Sequence, residues 1–291
     1  MPFVRVMSTL CSYKTVSGVP IHCEVHLPEC SDKKIPVAVF FHGGALISGD
    51  RSQYCTFERD ALLKEGYAFV SANYRLAPEA CLEEIISDVQ DVLNWVRGEG
   101  AELYPFDTDR IAVIGSSGGS YLALMTGTFP NPPKAIVSFY GYGDILGDWY
   151  CKPDPFYCAQ PQVTEEEAMR NVTGGVRTEG DCGKYYLRAR QLGTWTEWVS
   201  RMDVVKDRAV LEKYCPEFQV TSEYPPTFLL HGDKDTDVPY EQSVQMYQAL
   251  KQNGNEAEFY TEPGGGHGFD GSWWDKPEKF QMVLEFLRKH V

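Results

Sequence analysis

The chain has 291 residues, enough to bury a large core, and its composition of 43% hydrophobic and 23% charged residues is ordinary for a globular protein. Its formal net charge is −14 at pH 7, and no run of clustered Lys or Arg interrupts this acidic balance. These values argue against nucleic acid or an anionic membrane as a partner, because both require clustered positive charge.

The predicted elements begin with an antiparallel pair, Tyr13–Thr15 and Pro20–His26, separated by a Gly/Pro turn. After this pair, short apolar runs alternate with amphipathic stretches, a pattern typical of buried parallel strands joined by crossover helices. The predicted strands are Ile35–Phe41, Ala68–Asn73, Ile111–Ile114, Ala135–Tyr140, Thr227–Leu230 and Ala257–Thr261. The predicted helices are Tyr54–Lys64, Leu82–Arg97, Ser120–Thr126, Tyr240–Gln252 and Lys276–His290. This order predicts an α/β fold with a mostly parallel, doubly wound sheet flanked by helices.

One segment interrupts the alternation. Residues 144–225 carry no strand pattern and are rich in aromatic residues, and Thr164 followed by Glu167 predicts a capped helix start. A further helix is expected over Lys184–Arg201. We predict a helical cap over residues 144–225, inserted into a core of residues 1–143 and 226–291. The cap is expected at the carboxyl ends of the strands, where open α/β sheets bind ligands.

The chemistry of the chain is clearest at Gly115-Ser116-Ser117-Gly118-Gly119, which follows the strand Ile111–Ile114. Only Ser117 has glycines two residues away on both sides, as the G-x-S-x-G turn of a nucleophilic serine requires. A phosphate-binding loop is the rival interpretation, but it needs a Lys after its last glycine, and Ser120 stands there. The turn therefore predicts Ser117 as an attacking nucleophile.

A second loop can stabilise the negative charge that such an attack creates. Strand Ile35–Phe41 ends in His42-Gly43-Gly44-Ala45, where small residues let the backbone approach a substrate closely. We predict an oxyanion hole formed by the amides of Gly44, Ala45 and Gly118. His42 is expected to hold this loop rather than to act as a base.

A serine nucleophile needs a histidine base that is oriented by a carboxylate, and in this fold class the chain order is Ser, acid, His. His267, in a glycine-rich loop after the last strand, satisfies that order. Asp233, Asp235 and Asp237 all follow strand Thr227–Leu230, and spacing does not choose among them. Their alternation does not make a calcium loop, because the sixth and twelfth positions are Val238 and Val244. No metal or cofactor is expected.

Several motifs together resemble the hormone-sensitive-lipase-type branch of the α/β-hydrolase serine esterases, from about Ile35 to the C-terminus outside residues 144–225. The matching pieces are His42-Gly43-Gly44, Tyr74–Glu79, the turn at Ser117, Tyr224-Pro225-Pro226, the H-G-x-x-D-x-x-V-P stretch from His231 and Gly266-His267-Gly268. The resemblance implies the α/β-hydrolase fold, carboxylesterase activity and Asp235 as the third member beside Ser117 and His267.

The chain also departs from that family. Ala45 stands where the family has a third glycine, and Ser116 and Gly118 stand where it often has Asp and Ala. Residues 144–225 do not resemble the family's N-terminal lid, so its substrate preference does not carry over.

The expected substrate is a small apolar or aromatic ester or thioester, because five of the six tryptophans lie in the predicted cap or near His267. These candidate substrate-binding residues are Trp149, Trp195, Trp198, Trp273 and Trp274, and packing of the cap onto the sheet is an equal alternative for them. Two other functions stay open: an acyltransferase or lactone-forming, chain-releasing enzyme that uses the same triad, and a non-catalytic ligand receptor.

The remaining patterns concern location and assembly. The nine cysteines are scattered and form no CxxC pair, which is typical of reduced thiols in a cytoplasmic protein. No apolar run is long enough to span a bilayer, and residues 1–18 lack the pattern of a signal peptide. A cytoplasmic protein without membrane insertion is therefore expected. A homodimer is compatible with the sequence, but no pattern indicates one.

Overall fold

A mixed sheet of eight strands forms the centre of the computed structural model, which describes residues 8–29 and 33–291. The strands are β1 (Ser8–Val16), β2 (Val19–His26), β3 (Ile35–Phe41), β4 (Ala68–Ala72), β5 (Phe106–Ser116), β6 (Ala135–Phe139), β7 (Thr227–Gly232) and β8 (Ala257–Glu262). Their order across the sheet is β1-β2-β4-β3-β5-β6-β7-β8. β1 pairs antiparallel with β2, and β2 with β4, whereas all later pairs are parallel. The predicted α/β fold with a mostly parallel sheet is confirmed.

The longest difference between a predicted and an observed strand is in β5, which begins at Phe106 rather than at Ile111. Its first part contains Asp107, Asp109 and Arg110, and therefore does not show the apolar run of a buried strand. Phe106 nevertheless pairs with Ile35 of β3 and is fully buried.

Helices cover both faces of the sheet. The helices outside residues 144–225 are α1 (Thr56–Lys64), α2 (Leu82–Arg97), α3 (Glu99–Leu103), α4 (Gly118–Thr126), α11 (Glu241–Gln252) and α12 (Gln281–His290). Buried residues of α2, α4 and α11 pack on the sheet face that carries Val37, Val39 and Phe41. Those of α1 and α12 pack on the opposite face with Ala38 and Phe40. Successive side chains of β3 thus belong alternately to two hydrophobic clusters, one on each face of the sheet, as a doubly wound sheet requires.

The predicted C-terminal helix starts later than expected. Residues before Gln281 form two 3-10 helices, Phe269–Asp275 and Pro277–Lys279. Pro277 disfavours the helical conformation of the residue before it, and Lys276 has φ and ψ angles of −131° and 56°, outside the helical region.

Residues 144–225, the predicted cap segment, lie between β6 and β7 and consist of short helices and loops. Its helices are α5 (Asp148–Cys151), α6 (Pro155–Cys158), α7 (Glu165–Met169), α8 (Gly183–Leu192), α9 (Trp195–Ser200) and α10 (Arg208–Leu211), followed by the 3-10 helices Glu212–Tyr214 and Pro216–Gln219. The capping box of α7 is present, with Glu167 N 3.2 Å from Thr164 Oγ1 and Thr164 N 3.0 Å from Glu167 Oε2.

The single helix expected over Lys184–Arg201 is wrong, because α8 ends at Leu192 and α9 begins at Trp195. Gly193 separates them with a φ of 69°, in the left-handed region. A Cβ at this position would lie 2.2 Å from the carbonyl carbon of Lys152, so the neighbouring backbone occupies the space that another residue would need.

Among residues 8–29 and 33–291, no helix is long and apolar enough to cross a membrane. The eight cysteines in those ranges are free thiols. Cys30 lies outside the described residues.

Candidate active site

Ser117 lies on the sharp turn between β5 and α4. Its φ and ψ angles are 54° and −122°, a combination that non-glycine residues adopt only under strain. A Cβ on Gly115 would lie 2.2 Å from Gly119 O, and one on Gly119 would lie 2.0 Å from Phe41 O. The two glycines around Ser117 are therefore required by the close contact of β5, α4 and the end of β3, as the motif predicted.

His267 contacts both partners that the sequence assigned to it. Its Nε2 lies 2.9 Å from Ser117 Oγ, and its Nδ1 lies 2.7 Å from Asp235 Oδ2. A neutral imidazole beside a carboxylate carries its proton on Nδ1, which leaves Nε2 free to accept the proton of Ser117. The structure thus brings together Ser117, Asp235 and His267 in the arrangement of a catalytic triad.

Of the three candidate aspartates, Asp235 is the one whose side chain is fully buried against His267. Its Oδ1 accepts hydrogen bonds from the amides of Asp237 (2.8 Å) and Val238 (3.0 Å), and His231 Nε2 lies 3.3 Å from Oδ2. Burial alone raises the pKa of Asp235, but the bonds to His231, His267 and the backbone outweigh it and hold the pKa well below its usual range. Asp235 is therefore a carboxylate at neutral pH.

The histidine loop, residues 263–268, is fixed to the loop that carries the aspartates. Gly264 N donates to Asp233 Oδ1 at 2.7 Å, and Lys234 N donates to Gly265 O at 2.9 Å. Asp233 is thus a support of the histidine loop rather than a partner of the imidazole.

The protonation of His267 reflects two opposing effects. Burial lowers its pKa, whereas the hydrogen bond to Asp235 and the charges of Asp237 and Asp235 raise it, and the net pKa lies above the usual value. The ring of Tyr140 packs edge-on against the imidazole, with 4.7 Å between centroids. A positive charge on this imidazole is stabilised, which is what a base requires once it has taken a proton.

The predicted oxyanion amides lie beside the turn of Ser117. Gly44 has a φ of 100° and Ala45 a φ of 55°, so this loop turns through the left-handed region. A Cβ on Gly118 would lie 3.0 Å from Ala45 N, which places the two loops in direct contact. Within the described chain, no backbone hydrogen bond has the amide of Gly44, Ala45 or Gly118 as its donor. The three amides are available to a negative oxygen above Ser117.

His42 holds this loop, as expected. Its Nδ1 lies 2.7 Å from Gly43 O, and its ring stacks on Tyr74 with 4.4 Å between centroids. Burial lowers the pKa of His42 to about 4, so the ring is neutral at pH 7. The Tyr74 hydroxyl donates to His42 O at 2.8 Å, which gives the motif Tyr74–Glu79 a part in supporting the loop.

Sequence reasoning missed a role for Asp237. Its Oδ2 lies 3.5 Å from His267 Nε2, on the side of the ring that faces Ser117. Its Oδ1 accepts hydrogen bonds from Tyr157, Tyr186 and Arg190 of the cap segment, at 2.7, 2.5 and 2.9 Å. The three aspartates were visible in the sequence, but the cap residues that distinguish Asp237 lie far away in the chain.

Arg190 is the centre of this cap contact. It is fully buried, forms a second ion pair with Asp154 at 2.7 Å, and lies within 5.6 Å of the ring centroids of Trp149, Tyr150, Tyr157 and Tyr186. Aromatic faces and two carboxylates together compensate a buried guanidinium. Much of the aromatic content of the cap therefore surrounds an arginine.

Two of the five predicted substrate-binding tryptophans are corrected. Trp195 and Trp273 are 0% exposed, so neither can contact a ligand. Trp195 stacks on Tyr150 and donates from Nε1 to Ala45 O at 3.2 Å, and Trp273 packs against Phe139 and Phe269.

The other three tryptophans retain solvent contact. Trp149 is half-buried against Tyr150, Trp198 is half-buried against Tyr185, and Trp274 is 72% exposed. Their role in substrate binding stays a prediction.

Two family models match separate parts of the chain. The model described as BD-FAE matches residues 23–152, and the model of the Prolyl oligopeptidase family matches residues 181–291. Each covers less than half of the chain, and together they span the turn of Ser117 and the loops of Asp235 and His267.

Curated relatives include polyketide synthases. The chain is 27% identical to the non-reducing polyketide synthase ausA of Aspergillus calidoustus, over 96% of this chain and 14% of that protein. It is also 27% identical to the 5-methylorsellinic acid synthase of Aspergillus terreus, over 96% of this chain and 13% of that protein. The chain thus spans about one seventh of the length of these relatives.

Solved structures match the whole fold. A protein of unknown function from Staphylococcus aureus superposes with a TM-score of 0.78 at 21% identity, covering 98% of this chain and 99% of that one. Esterase 2 of Thermogutta terrifontis with bound butyrate superposes with a TM-score of 0.67 at 22% identity, covering 97% and 94%. The hormone-sensitive-lipase-type branch stays a prediction, but the resemblance to α/β-hydrolase esterases is confirmed at the level of the fold. The chain therefore has the α/β-hydrolase fold.

Proposed function

We propose that the chain is a serine esterase that cleaves carboxylic ester or thioester bonds of small substrates through an acyl-enzyme at Ser117. The observation that carries this proposal is the continuous hydrogen-bond path from Ser117 Oγ through His267 to Asp235, with heavy-atom distances of 2.9 and 2.7 Å. Both contacts are within the range required for proton transfer and for orientation of the base.

In the first half of the reaction, Ser117 Oγ attacks the carbonyl carbon of the substrate while its proton passes to His267 Nε2. The resulting oxyanion accepts hydrogen bonds from the amides of Gly44, Ala45 and Gly118. When the tetrahedral intermediate collapses, the bond to the alcohol or thiol breaks, and His267 returns the proton to that leaving group. Asp235 stabilises the imidazolium throughout.

In the second half, a water molecule gives a proton to His267 and attacks the acyl carbon. The bond to Ser117 Oγ then breaks, the acid leaves, and Oγ regains the proton. The attacking water and the departing alcohol or thiol both exchange a proton with His267 Nε2. Asp237 Oδ2, 3.5 Å from that nitrogen, therefore lies beside both of them and adds negative charge next to the imidazolium.

Residues 144–225 are proposed to act as the cap of this site. Arg190, Tyr157 and Tyr186 reach Asp237, and Trp195 reaches the oxyanion loop at Ala45. These contacts join the cap to both loops that flank Ser117, so its position influences the shape of the site.

The test is hydrolysis of p-nitrophenyl esters of increasing acyl length by Ser117→Ala and by the neighbouring control Ser116→Ala. The first variant is expected to lose turnover by about 10⁴-fold or more with an unchanged fold, because no nucleophile remains. The second is expected to keep most of its activity. Ester hydrolysis at the wild-type rate by Ser117→Ala would exclude the proposed mechanism.

A second candidate function is acyl transfer that releases a chain in a biosynthetic pathway, to a hydroxyl group or by lactone formation. The alignment of 96% of this chain with a part of the polyketide synthase ausA, at 27% identity, favours this function. The triad chemistry is the same, and only the acceptor of the acyl group differs.

The acceptor is identified by running the same ester panel with and without an added alcohol and analysing the products. Release of the free acid alone supports hydrolysis, whereas an ester of the added alcohol supports transfer. A non-catalytic receptor, the remaining alternative, would release neither product.

A further inference from the structure

A second group of reactive side chains lies near His267 and takes no part in the proposed reaction. Cys55 and Glu58 belong to the start of α1, and Asp270 lies in the 3-10 helix that follows the histidine loop. One ligand atom from each of the three residues lies within 4.8 Å of the others. Glu58 and Asp270 are 5% and 4% exposed, so two carboxyl groups and a thiol are gathered away from solvent.

One atom of this cluster has no partner in the described chain. Glu58 Oε1 is buried and makes no hydrogen bond. It adjoins a cavity of about 200 Å³ that Cys55, Tyr140 and Asp270 also line. No Lys, Arg or His side chain among the residues that the structure describes lines this cavity. A buried carboxyl oxygen without a hydrogen bond is unfavourable, and coordination to a cation would satisfy it.

The chemistry and spacing of the donor atoms favour one class of cation. Cys55 Sγ donates a hydrogen bond to Asp270 Oδ2 over 3.5 Å, and a bound ion would replace the shared proton. A tetrahedral zinc ion, with Zn–S near 2.3 Å and Zn–O near 2.0 Å, separates its sulfur and oxygen ligands by about 3.5 Å. A thiolate ligand disfavours Mg²⁺ and Ca²⁺, which prefer oxygen alone.

We propose that Cys55, Glu58 and Asp270 bind one Zn²⁺ ion, with water from the adjoining cavity as a fourth ligand. The ion would connect the start of α1 to the segment after the histidine loop. Tyr140, whose ring packs against His267 at 4.7 Å, lines the same cavity. Bound zinc would thus restrain the surroundings of Tyr140 and the segment after the histidine loop, while taking no part in acyl transfer.

Binding requires the thiol of Cys55 to lose its proton to solvent, so the affinity for Zn²⁺ should increase with pH. Sequence patterns could not reveal this site, because a helix start and a distant loop each supply only part of the ligand set.

The test uses the full chain after removal of metals with a chelator. Calorimetric titration with ZnCl₂ is expected to show one ion bound per chain and an increase in Tm. Titration with Co²⁺ is expected to show the absorption band of a cobalt–thiolate bond. Cys55→Ser is expected to lose that band and to weaken Zn²⁺ binding by at least about tenfold. Cys158→Ser removes an exposed thiol and is the matched control, which should bind as the wild type does.

Glu58→Gln is a second variant that keeps the shape of the side chain and removes its charge. It should weaken Zn²⁺ binding while circular dichroism shows an unchanged fold. A wild-type chain that binds no Zn²⁺, or equal binding by Cys55→Ser and Cys158→Ser, would overturn the proposal. Ester hydrolysis is measured separately, so failure of the zinc site leaves the Ser117 mechanism untouched.

Discussion

The loops at the carboxyl edge of the sheet and the cap segment build the site in different ways. Ser117, Asp235 and His267 follow β5, β7 and β8, and their positions are fixed by backbone hydrogen bonds and close glycine contacts. The cap supplies no member of the triad. Its side chains reach Asp237 and Ala45, and a backbone hydrogen bond from Gly49 N to Gly180 O joins it to the loop after β3. The sheet thus positions the reactive atoms, whereas the cap contributes to their surroundings.

Two buried arginines of residues 144–225 form ion pairs with residues outside that segment. Arg190 reaches Asp237, and Arg177 donates to Ile47 O and Ala77 O and pairs with Glu79 at 2.9 Å. A buried ion pair costs desolvation, but removing one partner costs more because the other charge is left unpaired. Substitutions in the loops should therefore mainly reduce catalytic activity, whereas substitutions in the cap should mainly reduce the free energy of unfolding.

The largest effect is expected on the sheet side, for Asp235→Asn. The amide removes the negative charge that holds the proton on His267 Nδ1, so kcat should fall by about 10³–10⁴-fold. Steady-state hydrolysis of a p-nitrophenyl ester measures this. Asp233→Asn is the matched control and should retain most of the activity, and an equal loss in both variants would refute the assignment of Asp235.

On the cap side, Arg190→Met should cost about 3–5 kcal/mol in the free energy of unfolding, because Asp154 and Asp237 lose their buried partner. Urea denaturation followed by tryptophan fluorescence measures the change. Arg208→Met, at an exposed pair with Glu212, should cost less than about 1 kcal/mol. Similar costs for both variants would show that Arg190 does not anchor the cap.

Asp237→Asn tests the point where the two regions meet. The charge of Asp237 raises the pKa of His267, and the base must be neutral to accept a proton. The variant should therefore lower that pKa and move the acidic limb of the kcat/KM profile to lower pH. The plateau rate should fall by less than about tenfold, because Asp235 still orients the ring. An acidic limb that stays in place would contradict the proposed contact.

The smallest effect is expected for Trp195→Phe, which removes the hydrogen bond to Ala45 O and keeps the aromatic packing. We expect kcat to fall by about tenfold or less, since the loop of Gly44 and Ala45 loses one support while its amides stay. Trp274→Phe, at a 72% exposed side chain, should leave kcat unchanged. Esterase assays of the Trp195→Phe and Trp274→Phe proteins at equal concentration compare their kcat values.

The parts of the molecule that the sequence predicted are those in which local pattern and tertiary position coincide. Strands β3, β4, β6 and β7 and the second half of β5 are mostly apolar runs, and the turn at Ser117 needs small residues at fixed positions. Both features could therefore be predicted directly from the sequence. The polar first half of β5 could not be predicted, because its pairing with Ile35 of β3 is a long-range contact. The break between α8 and α9 at Gly193 could not be predicted either, because it depends on contact with the backbone of Lys152. The roles of Asp237 and Trp195 depend on partners that are distant in the chain. The aromatic composition suggested a substrate-binding surface, but several of these rings surround Arg190 or pack in the core.

The most direct test of Ser117 as the nucleophile is labelling of the full chain with a fluorophosphonate, followed by mass spectrometry of the intact protein and of its peptides. Ser117 Oγ should attack phosphorus and expel fluoride, giving one adduct on the peptide that contains Ser117. Labelling should be lost in Ser117→Ala and strongly slowed in His267→Ala. An adduct on another residue, or an active wild-type protein without any adduct, would contradict the central claim.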